Sequence, residues 1–267
     1  CTPIDLTHPN YNNLMGYWRL NDGQSTIADD QSANGLDGTL YSATWNLSTS
    51  CFGSTAPSLT YVPDDNFEQA LINLGYDNIL DDSVTTANIN TVTYLDVSVS
   101  NISDLTGIED FTALTFLNFG DNLLTSLDVS QNTALTILSV HTNQLTSLDV
   151  SNNTALTTLS CENNQLTVLN VSQNTTLTTL ICGGNQLTNL DVSTNTALIE
   201  LSCNDNQLTN LDVSNNTALE LLLLRNNQLT SLDVSTNTAL SFFTCRANQL
   251  TSLDVTQNIA LTFFYCY

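Results

Sequence analysis

The sequence contains almost no basic side chains. Lysine is absent, the three arginines are Arg19, Arg225 and Arg246, and the formal net charge of the 267 residues is −23 at pH 7. Nucleic acids and anionic membranes are held mainly by Lys and Arg, so we expect neither as a partner. An acidic surface without lysine favours an extracellular, saline medium, where salt screens the repulsion between its carboxylates.

Long apolar runs are missing as well. A membrane-spanning helix needs 18 or more consecutive apolar residues, roughly, and no such run occurs, so no membrane span is predicted. No signal peptide is visible, yet the chain begins with Cys1 rather than Met. Two interpretations remain open: a mature lipoprotein whose Cys1 is lipidated, or a processing boundary that falls at this residue.

Sequence motifs of catalysis are absent. No HExxH, GxSxG, CxxC or P-loop pattern occurs, and the two histidines are His8 and His141. We therefore expect no enzyme, no cofactor and no metal. Carboxylate pairs arise by chance in a chain with 26 acidic residues, and four such residues stand at variable repeat positions: Glu162, Glu200, Asp205 and Glu220.

Internal repetition dominates the chain. A 21-residue unit starts at Leu114 and recurs up to Leu261, and a 22-residue variant from Val92 precedes it, which gives nine units. Each unit carries L-x-x-L-x-C/V-x-x-N-x-L, which resembles the leucine-rich-repeat signature. The second leucine and the Cys/Val alternate with outward residues, as in a strand of period two. The resemblance implies a leucine-rich-repeat solenoid, a β-rich horseshoe with a parallel sheet on its concave face.

An asparagine column follows the predicted strands. A buried amide can hydrogen-bond the backbone groups of the turn, so we expect it to be structural. The second half of each unit, L-T-S-L-D-V-S, has its own apolar set and reads as extended, with little room for a helix. The column consists of Asn122, Asn143, Asn164, Asn185, Asn206, Asn227 and Asn248.

The sequence divides into three parts: a small β-rich appendage (1–58), a helical cap (59–91) and the solenoid (92–267). Residues 63–75 predict a short amphipathic helix with Asp64 or Asp65 as N-cap, Glu68 at capping-box spacing from Asp65, and Gly75 as stop. Its apolar face comprises Phe67, Ala70, Leu71 and Leu74. The cap and the unit that contains Gly107 and Ile108 resemble the N-terminal flank of internalin-like bacterial surface proteins.

Both ends of the chain raise further expectations. GYWRLNDG and DQSANGLDGTL, within 16–40, resemble the opening strands of laminin-G-like or concanavalin-like jelly rolls, but only as a fragment. A disulfide between Cys1 and Cys51 would stabilise this appendage if Cys1 is not lipidated. No cap is recognisable after Leu261, so either the native chain continues beyond Tyr267 or the open end self-associates.

Two further columns admit more than one interpretation. Cys161, Cys182, Cys203, Cys245 and Cys266 share one position with Val140 and Leu224, which favours buried free thiols; a linear column cannot surround zinc or align for disulfides. The acidic column favours local hydrogen bonds to Ser or Thr, with calcium bridging as the alternative. It contains Asp128, Asp149, Asp191, Asp212, Asp233 and Asp254.

The variable positions indicate where a ligand binds. Variation between units is concentrated at the outward strand residues and the two positions that follow, on the face that is concave in leucine-rich-repeat proteins. Arg225 and Arg246, beside aromatic residues, form the most distinctive patch. The predicted ligand-binding residues are His141, Glu162, Glu200, Asp205, Arg225, Phe242, Arg246, Phe263 and Tyr265.

The resemblance to internalin-like and flavobacterial surface repeats implies a secreted or surface-anchored bacterial protein, and we expect it to act in adhesion by binding a glycan or a protein. Two alternatives remain. The uncapped end suggests a filament or matrix protein. Regularly spaced threonines suggest an ice-binding solenoid, because such rows can match ordered water: Thr146, Thr167, Thr188, Thr209, Thr230 and Thr251.

Overall fold

The computed structural model describes residues 57–266 and, before them, two short strands. The strands β1 (Ile27–Ala28) and β2 (Gly38–Thr39) pair antiparallel. The chain forms two compact units, Cys1–Ala56 and Pro57–Tyr267. The predicted Cys1–Cys51 disulfide and the GYWRLNDG segment lie outside the described residues.

The N-terminal cap of the second unit combines an antiparallel pair with a helix. Strands β3 (Leu59–Tyr61) and β4 (Ser83–Thr85) flank α1 (Asp65–Asn73), and a short α2 (Thr86–Ile89) follows. Residues Phe67 and Leu71 are fully buried. The fourth residue predicted on this face, Leu74, is 48% exposed, because it is already the C-cap, where the chain leaves the helix. Gly75 then ends the helix with a φ of +83°.

Asp64 is the N-cap and also attaches the helix to the first repeat. Its Oδ1 accepts hydrogen bonds from the N–H groups of Asn66 and Phe67, both at 3.0 Å. Its Oδ2 accepts from the N–H of Ser103 at 2.8 Å and of Asp104 at 3.0 Å. One carboxylate therefore satisfies the start of the helix and a loop of the solenoid.

Glu68 does not complete a capping box. Because the N-cap is Asp64 rather than Asp65, Glu68 is one position too far along the helix. It is fully buried and turns instead to the chain before β4. Its carboxylate accepts from the N–H groups of Asp81, Asp82 and Ser83 at 2.9–3.1 Å, which holds β4 against the helix.

The solenoid contains one parallel sheet of nine strands in sequence order. Each strand has three residues and pairs in register with the next, and in the first eight the central side chain is buried between two outward ones. The strands are β5 (Tyr94–Asp96), β6 (Phe116–Asn118), β7 (Ile137–Ser139), β8 (Thr158–Ser160), β9 (Thr179–Ile181), β10 (Glu200–Ser202), β11 (Leu221–Leu223), β12 (Phe242–Thr244) and β13 (Phe263–Tyr265).

The return half of each coil is extended chain and tight turns. Over the described residues of the solenoid it forms no second sheet, only an isolated parallel bridge between Asp149 and Asn170. A 3-10 turn, Ile108–Asp110, occurs in the variant first unit. The core lies between the sheet and this return half and is continuous from the cap to Cys245.

The predicted asparagine column is confirmed as structural. In Asn164, Nδ2 donates to the carbonyls of Val140 and Cys161, and Oδ1 accepts from the N–H of Leu145, all at 3.0–3.1 Å. Each amide therefore closes the turn of its own coil and connects it to the preceding coil. The same pattern repeats along the column.

A second asparagine column was not recognised from the sequence. In Asn153, Nδ2 donates to the carbonyls of Val129 and Asn132 in the preceding coil, at 2.9 Å each. The side-chain oxygens of this column accept no hydrogen bond within the described residues. All seven members are at most 3% exposed: Asn132, Asn153, Asn174, Asn195, Asn216, Asn237 and Asn258.

Four cysteines of the cysteine column are buried free thiols, as predicted: Cys161, Cys182, Cys203 and Cys245. Burial raises the pKa of the Cys182 and Cys245 thiols to about 12, which makes them poor nucleophiles. The prediction is wrong for Cys266, which is free but exposed. It follows β13, which among the described residues pairs with a neighbouring strand on one side only.

Candidate ligand-binding face

The outward side of the sheet carries four registered rows of side chains, which together we call the strand face. The first row is Tyr94, Phe116, Ile137, Thr158, Thr179, Glu200, Leu221, Phe242 and Phe263. The second row is Asp96, Asn118, Ser139, Ser160, Ile181, Ser202, Leu223, Thr244 and Tyr265. The rim row follows the strands: Ser98, Gly120, His141, Glu162, Gly183, Asn204, Arg225 and Arg246. The left-handed row comes next: Val99, Asp121, Thr142, Asn163, Gly184, Asp205, Asn226 and Ala247.

The left-handed row has a structural constraint that the sequence did not reveal. All eight residues have φ between 52° and 62°, a region that Gly, Asn and Asp adopt with least strain. This explains why those three residue types predominate there. Asp205, one of the predicted ligand-binding residues, therefore also occupies a position that the backbone conformation restricts.

Six of the predicted residues lie together at the C-terminal end of the strand face. Arg225 Nη2 is 2.9 Å from Asp205 Oδ2. The Arg246 guanidinium carbon lies 5.6 Å from the centre of the Tyr265 ring, a cation–π contact. Phe242 and Phe263 complete the group, which we call the cationic aromatic patch: Asp205, Arg225, Phe242, Arg246, Phe263 and Tyr265.

The ion pair perturbs the titration of Asp205. Burial raises its pKa, but hydrogen bonds from the side chains of Arg225 and Asn226, together with the guanidinium charge, outweigh that effect. The pKa of Asp205 is therefore below its ordinary value, and the side chain is ionised at neutral pH. Since both members of the pair are about half exposed, the guanidinium remains accessible to a second oxyanion.

The aromatic rings of the patch stack on one another. Phe242 and Phe263 have ring centres 4.2 Å apart and planes 10° from parallel. Phe263 also lies 6.5 Å from Tyr265. Stacking across neighbouring strands covers one face of each ring of the pair, and Phe263 remains 46% exposed.

A second aromatic stack lies at the opposite end of the first row. Tyr94 and Phe116 have ring centres 4.3 Å apart and planes 9° from parallel, and Tyr94 is 57% exposed. This pair lies outside the regular units from Leu135 onward, whose variable positions indicated the predicted ligand-binding residues. Aligning the 22-residue unit on its leucines would have placed Tyr94 in the same column.

The remaining predicted residues are spread along the face. The ring of His141 covers Gly120 so closely that a β-carbon at Gly120 would collide with it, and its Nδ1 is 3.7 Å from Asp121 Oδ2. Glu162 follows His141 in the rim row, whereas Glu200 stands in the first row on β10. The structure therefore does not bring Glu162 and Glu200 together as neighbours in one row.

The acidic column lies on the return half, away from the strand face. Each Asp accepts a hydrogen bond from the N–H of the Ser or Thr two residues on, for example Asp191 from Ser193 at 2.9 Å. Hydrogen bonds from the side chain and backbone of Ser193 lower the pKa of Asp191. The local hydrogen bonds that the sequence analysis favoured are confirmed.

Over the described residues, no helix has the length and apolar character that crossing a membrane requires. Nine in-register parallel strands on a 21-residue repeat, with a buried Leu and Cys/Val core and an asparagine column, define a leucine-rich-repeat protein. The helical cap α1 precedes the repeats, as the resemblance to internalin-like proteins implied. No protein-family model matches the chain.

Known relatives agree with this class. Internalin J of Listeria monocytogenes serotype 4b (strain F2365) is 45% identical over 80 residues, which are 30% of this chain and 9% of that protein. The functional domain of InlJ from Listeria monocytogenes, described as including a cysteine ladder, has a TM-score of 0.51 at 36% identity and aligns with 79% of this chain and 57% of that one. Internalin C2 of Listeria monocytogenes matches in fold, with a TM-score of 0.70 at 20% identity over 80% of this chain and all of that one. The chain therefore spans only part of the Internalin J proteins that it resembles.

Proposed function

We propose that this protein is a non-catalytic recognition protein, secreted or displayed on a bacterial cell surface, that binds a glycan or protein ligand on the strand face. The similarity to internalins supports this class. The observation that carries the proposal is the cationic aromatic patch. Two of the three arginines of a chain with net charge −23 stand in one row beside exposed aromatics.

The chemistry of the patch indicates which part of a ligand it binds. Guanidinium groups recognise carboxylate or sulfate oxygens through paired hydrogen bonds, and Arg and aromatic residues are enriched where binding energy concentrates. The exposed rings of Phe263 and Tyr265 offer apolar contact beside the charge. We propose that Arg225 and Arg246 bind an acidic group, and that Phe242, Phe263 and Tyr265 contact the apolar part next to it.

The test is a binding screen on arrays of glycans and surface proteins. The wild type is compared with Arg225→Ala/Arg246→Ala and with Gln228→Ala/Gln249→Ala, a control that alters exposed residues of the same two coils. We expect hits that the arginine variant loses and the glutamine variant keeps. An unchanged profile for the arginine variant, or no hit for the wild type, would overturn the proposal.

A further inference from the structure

The rim row contains backbone N–H groups whose hydrogen bonds differ from coil to coil. In Gly120 the N–H donates to Asn118 Oδ1 at 3.0 Å, and in Ser98 it donates to Asp96 Oδ1 at 3.1 Å. In Arg225 it donates to Asn204 Oδ1 at 2.7 Å. Side-chain oxygens of the protein thus occupy this donor in three coils.

In the central coils the same donor has no protein partner. Within the described residues, the N–H groups of His141, Glu162, Gly183 and Asn204 make no hydrogen bond. We call these four groups the donor row. Their neighbours in the second row are Ser139, Ser160, Ile181 and Ser202, whose side chains do not form the bond that Asn118 forms to Gly120.

The occupied coils show where these donors point. Asp96 and Asn118 are outward residues of their strands, and each oxygen reaches forward to the N–H two residues later. In Arg225 the oxygen comes instead from Asn204 of the preceding coil, so outward side chains of the strand face reach this donor from the same coil or from the preceding one. A backbone N–H without a protein partner needs another acceptor. A ligand oxygen in the position of Asn118 Oδ1 would satisfy it.

The spacing of the row selects the kind of ligand. Successive donors stand one strand spacing apart, about 4.8 Å. Carbonyls on one side of an extended peptide repeat every 6.6–6.8 Å, roughly. The carbonyls of a peptide that runs along the solenoid axis therefore do not coincide with successive donors. A sugar polymer has oxygen acceptors on nearly every ring carbon, and its oxygens can follow the shorter repeat.

The charge of the central strip restricts the ligand further. Glu162 stands within the row, and Asp121 lies beside its N-terminal end in the left-handed row. No arginine lies within this stretch, where the outward strand residues include Thr158, Ser160 and Thr179. Carboxylates repel a polyanion, whereas hydroxyl and carboxylate oxygens accept hydrogen bonds from sugar hydroxyls. These features favour an uncharged, hydroxyl-rich chain.

We propose that the donor row binds a neutral polysaccharide segment that runs along the solenoid axis over β7–β10. This proposal rests on the proposed function and specifies the ligand class for the centre of the strand face. The N–H groups donate to sugar oxygens, and the hydroxyl and carboxylate side chains accept from sugar hydroxyls. The cationic aromatic patch lies at the C-terminal end of this path.

The test introduces into two central coils the hydrogen bond that Asn118 forms with the N–H of Gly120. In Ser139→Asn/Ser160→Asn, the new amide oxygens occupy the N–H groups of His141 and Glu162, as Asn118 occupies Gly120. Ser139→Leu/Ser160→Leu is the control, because Leu has the shape of Asn without the acceptor. Dextran, mannan and cello-oligosaccharides are the neutral probes, with polygalacturonate and an extended-peptide library for comparison.

We expect a neutral probe to bind and the asparagine variant to bind it roughly tenfold more weakly, from two lost hydrogen bonds. The leucine variant lacks the same two serine hydroxyls but leaves both N–H groups open, so it should bind the probe more tightly than the asparagine variant. In NMR titrations the amide signals of His141 and Glu162 should move with saturation, while that of Gly120, whose donor is filled, stays in place.

If the leucine variant weakens probe binding as much as the asparagine variant does, the role of the donor row is contradicted. The same holds if the amide signal of Gly120 shifts together with those of His141 and Glu162. Binding of only polygalacturonate or peptides would overturn the ligand class. Either result leaves the proposed function standing if the Arg225→Ala/Arg246→Ala variant loses its array hits. The two proposals can therefore fail separately.

Discussion

Arg225 and Asp205, in adjacent coils of the solenoid, form an ion pair with 2.9 Å between Nη2 and Oδ2. Asp205 therefore already contacts part of the Arg225 guanidinium, the group that we propose to bind an acidic ligand. Because both side chains are about half exposed, the pair itself contributes little to stability. It therefore acts mainly as an internal competitor for the ligand.

Removing this competitor should strengthen binding of an acidic ligand. In Asp205→Asn the left-handed backbone is retained, because Asn tolerates positive φ, while the charge is lost. We expect the affinity for the strongest acidic array hit to rise about two- to fivefold, since a half-exposed pair is worth less than about 1 kcal/mol. Calorimetry at two salt concentrations measures this. Weaker binding would mean that Asp205 itself contacts the ligand.

The second asparagine column should matter more for stability than its sequence suggests. Asn216 is fully buried and donates to Val192 and Asn195 carbonyls, whereas Asn215 is exposed and makes one bond, to Ser193 at 3.2 Å. Asn216→Ala removes both hydrogen bonds, although the two carbonyls keep the N–H groups of Asn195 and Leu198 as donors, and we expect a loss of about 1–3 kcal/mol.

Asn215→Ala is the matched control, and we expect it to cost less than about 0.5 kcal/mol. Urea unfolding followed by circular dichroism compares the two variants. Similar unfolding midpoints for both would contradict the structural role of the column.

The acidic column should make stability depend on pH. Hydrogen bonds from Ser or Thr lower the pKa of Asp191, Asp212 and Asp233 in the folded state. A carboxyl whose folded pKa is depressed stabilises the fold above its unfolded pKa, about 3.9. That contribution disappears as the pH falls through the folded pKa. We therefore expect the melting temperature to fall on acidification below pH 4, roughly.

Replacing the three residues with Asn should flatten this acid dependence. Asn is already present in this column at Asn170, whose Oδ1 accepts from the N–H of Ser172 at 3.0 Å. The triple variant keeps the turn and loses the titration and the mutual repulsion. Thermal melts at pH 7 and pH 3 measure the difference. An acid limb as steep as that of the wild type would show that other groups cause it.

Much of the fold follows from the order of residues in the repeat. Leu and Cys/Val at alternating positions require a strand with one buried face, and a 21-residue period stacks each strand on the next. The capping residues Asp64 and Gly75 could be proposed for local reasons, because both act on neighbouring backbone groups. The burial of Cys161 and of the other buried cysteines could be predicted because Val140 and Leu224 occupy the same column.

The sequence alone determined that the chain is a leucine-rich-repeat solenoid, and which of its faces varies from coil to coil. Only the tertiary structure decided what each variable position does, because hydrogen bonds between coils depend on which side chain reaches which backbone group. It paired Arg225 with Asp205, set the left-handed row, stacked Tyr94 on Phe116 and turned Glu68 toward β4. It also distinguished Gly120, whose N–H donates to Asn118, from Gly183, whose N–H has no partner among the described residues, although both are glycines at the same position of the repeat.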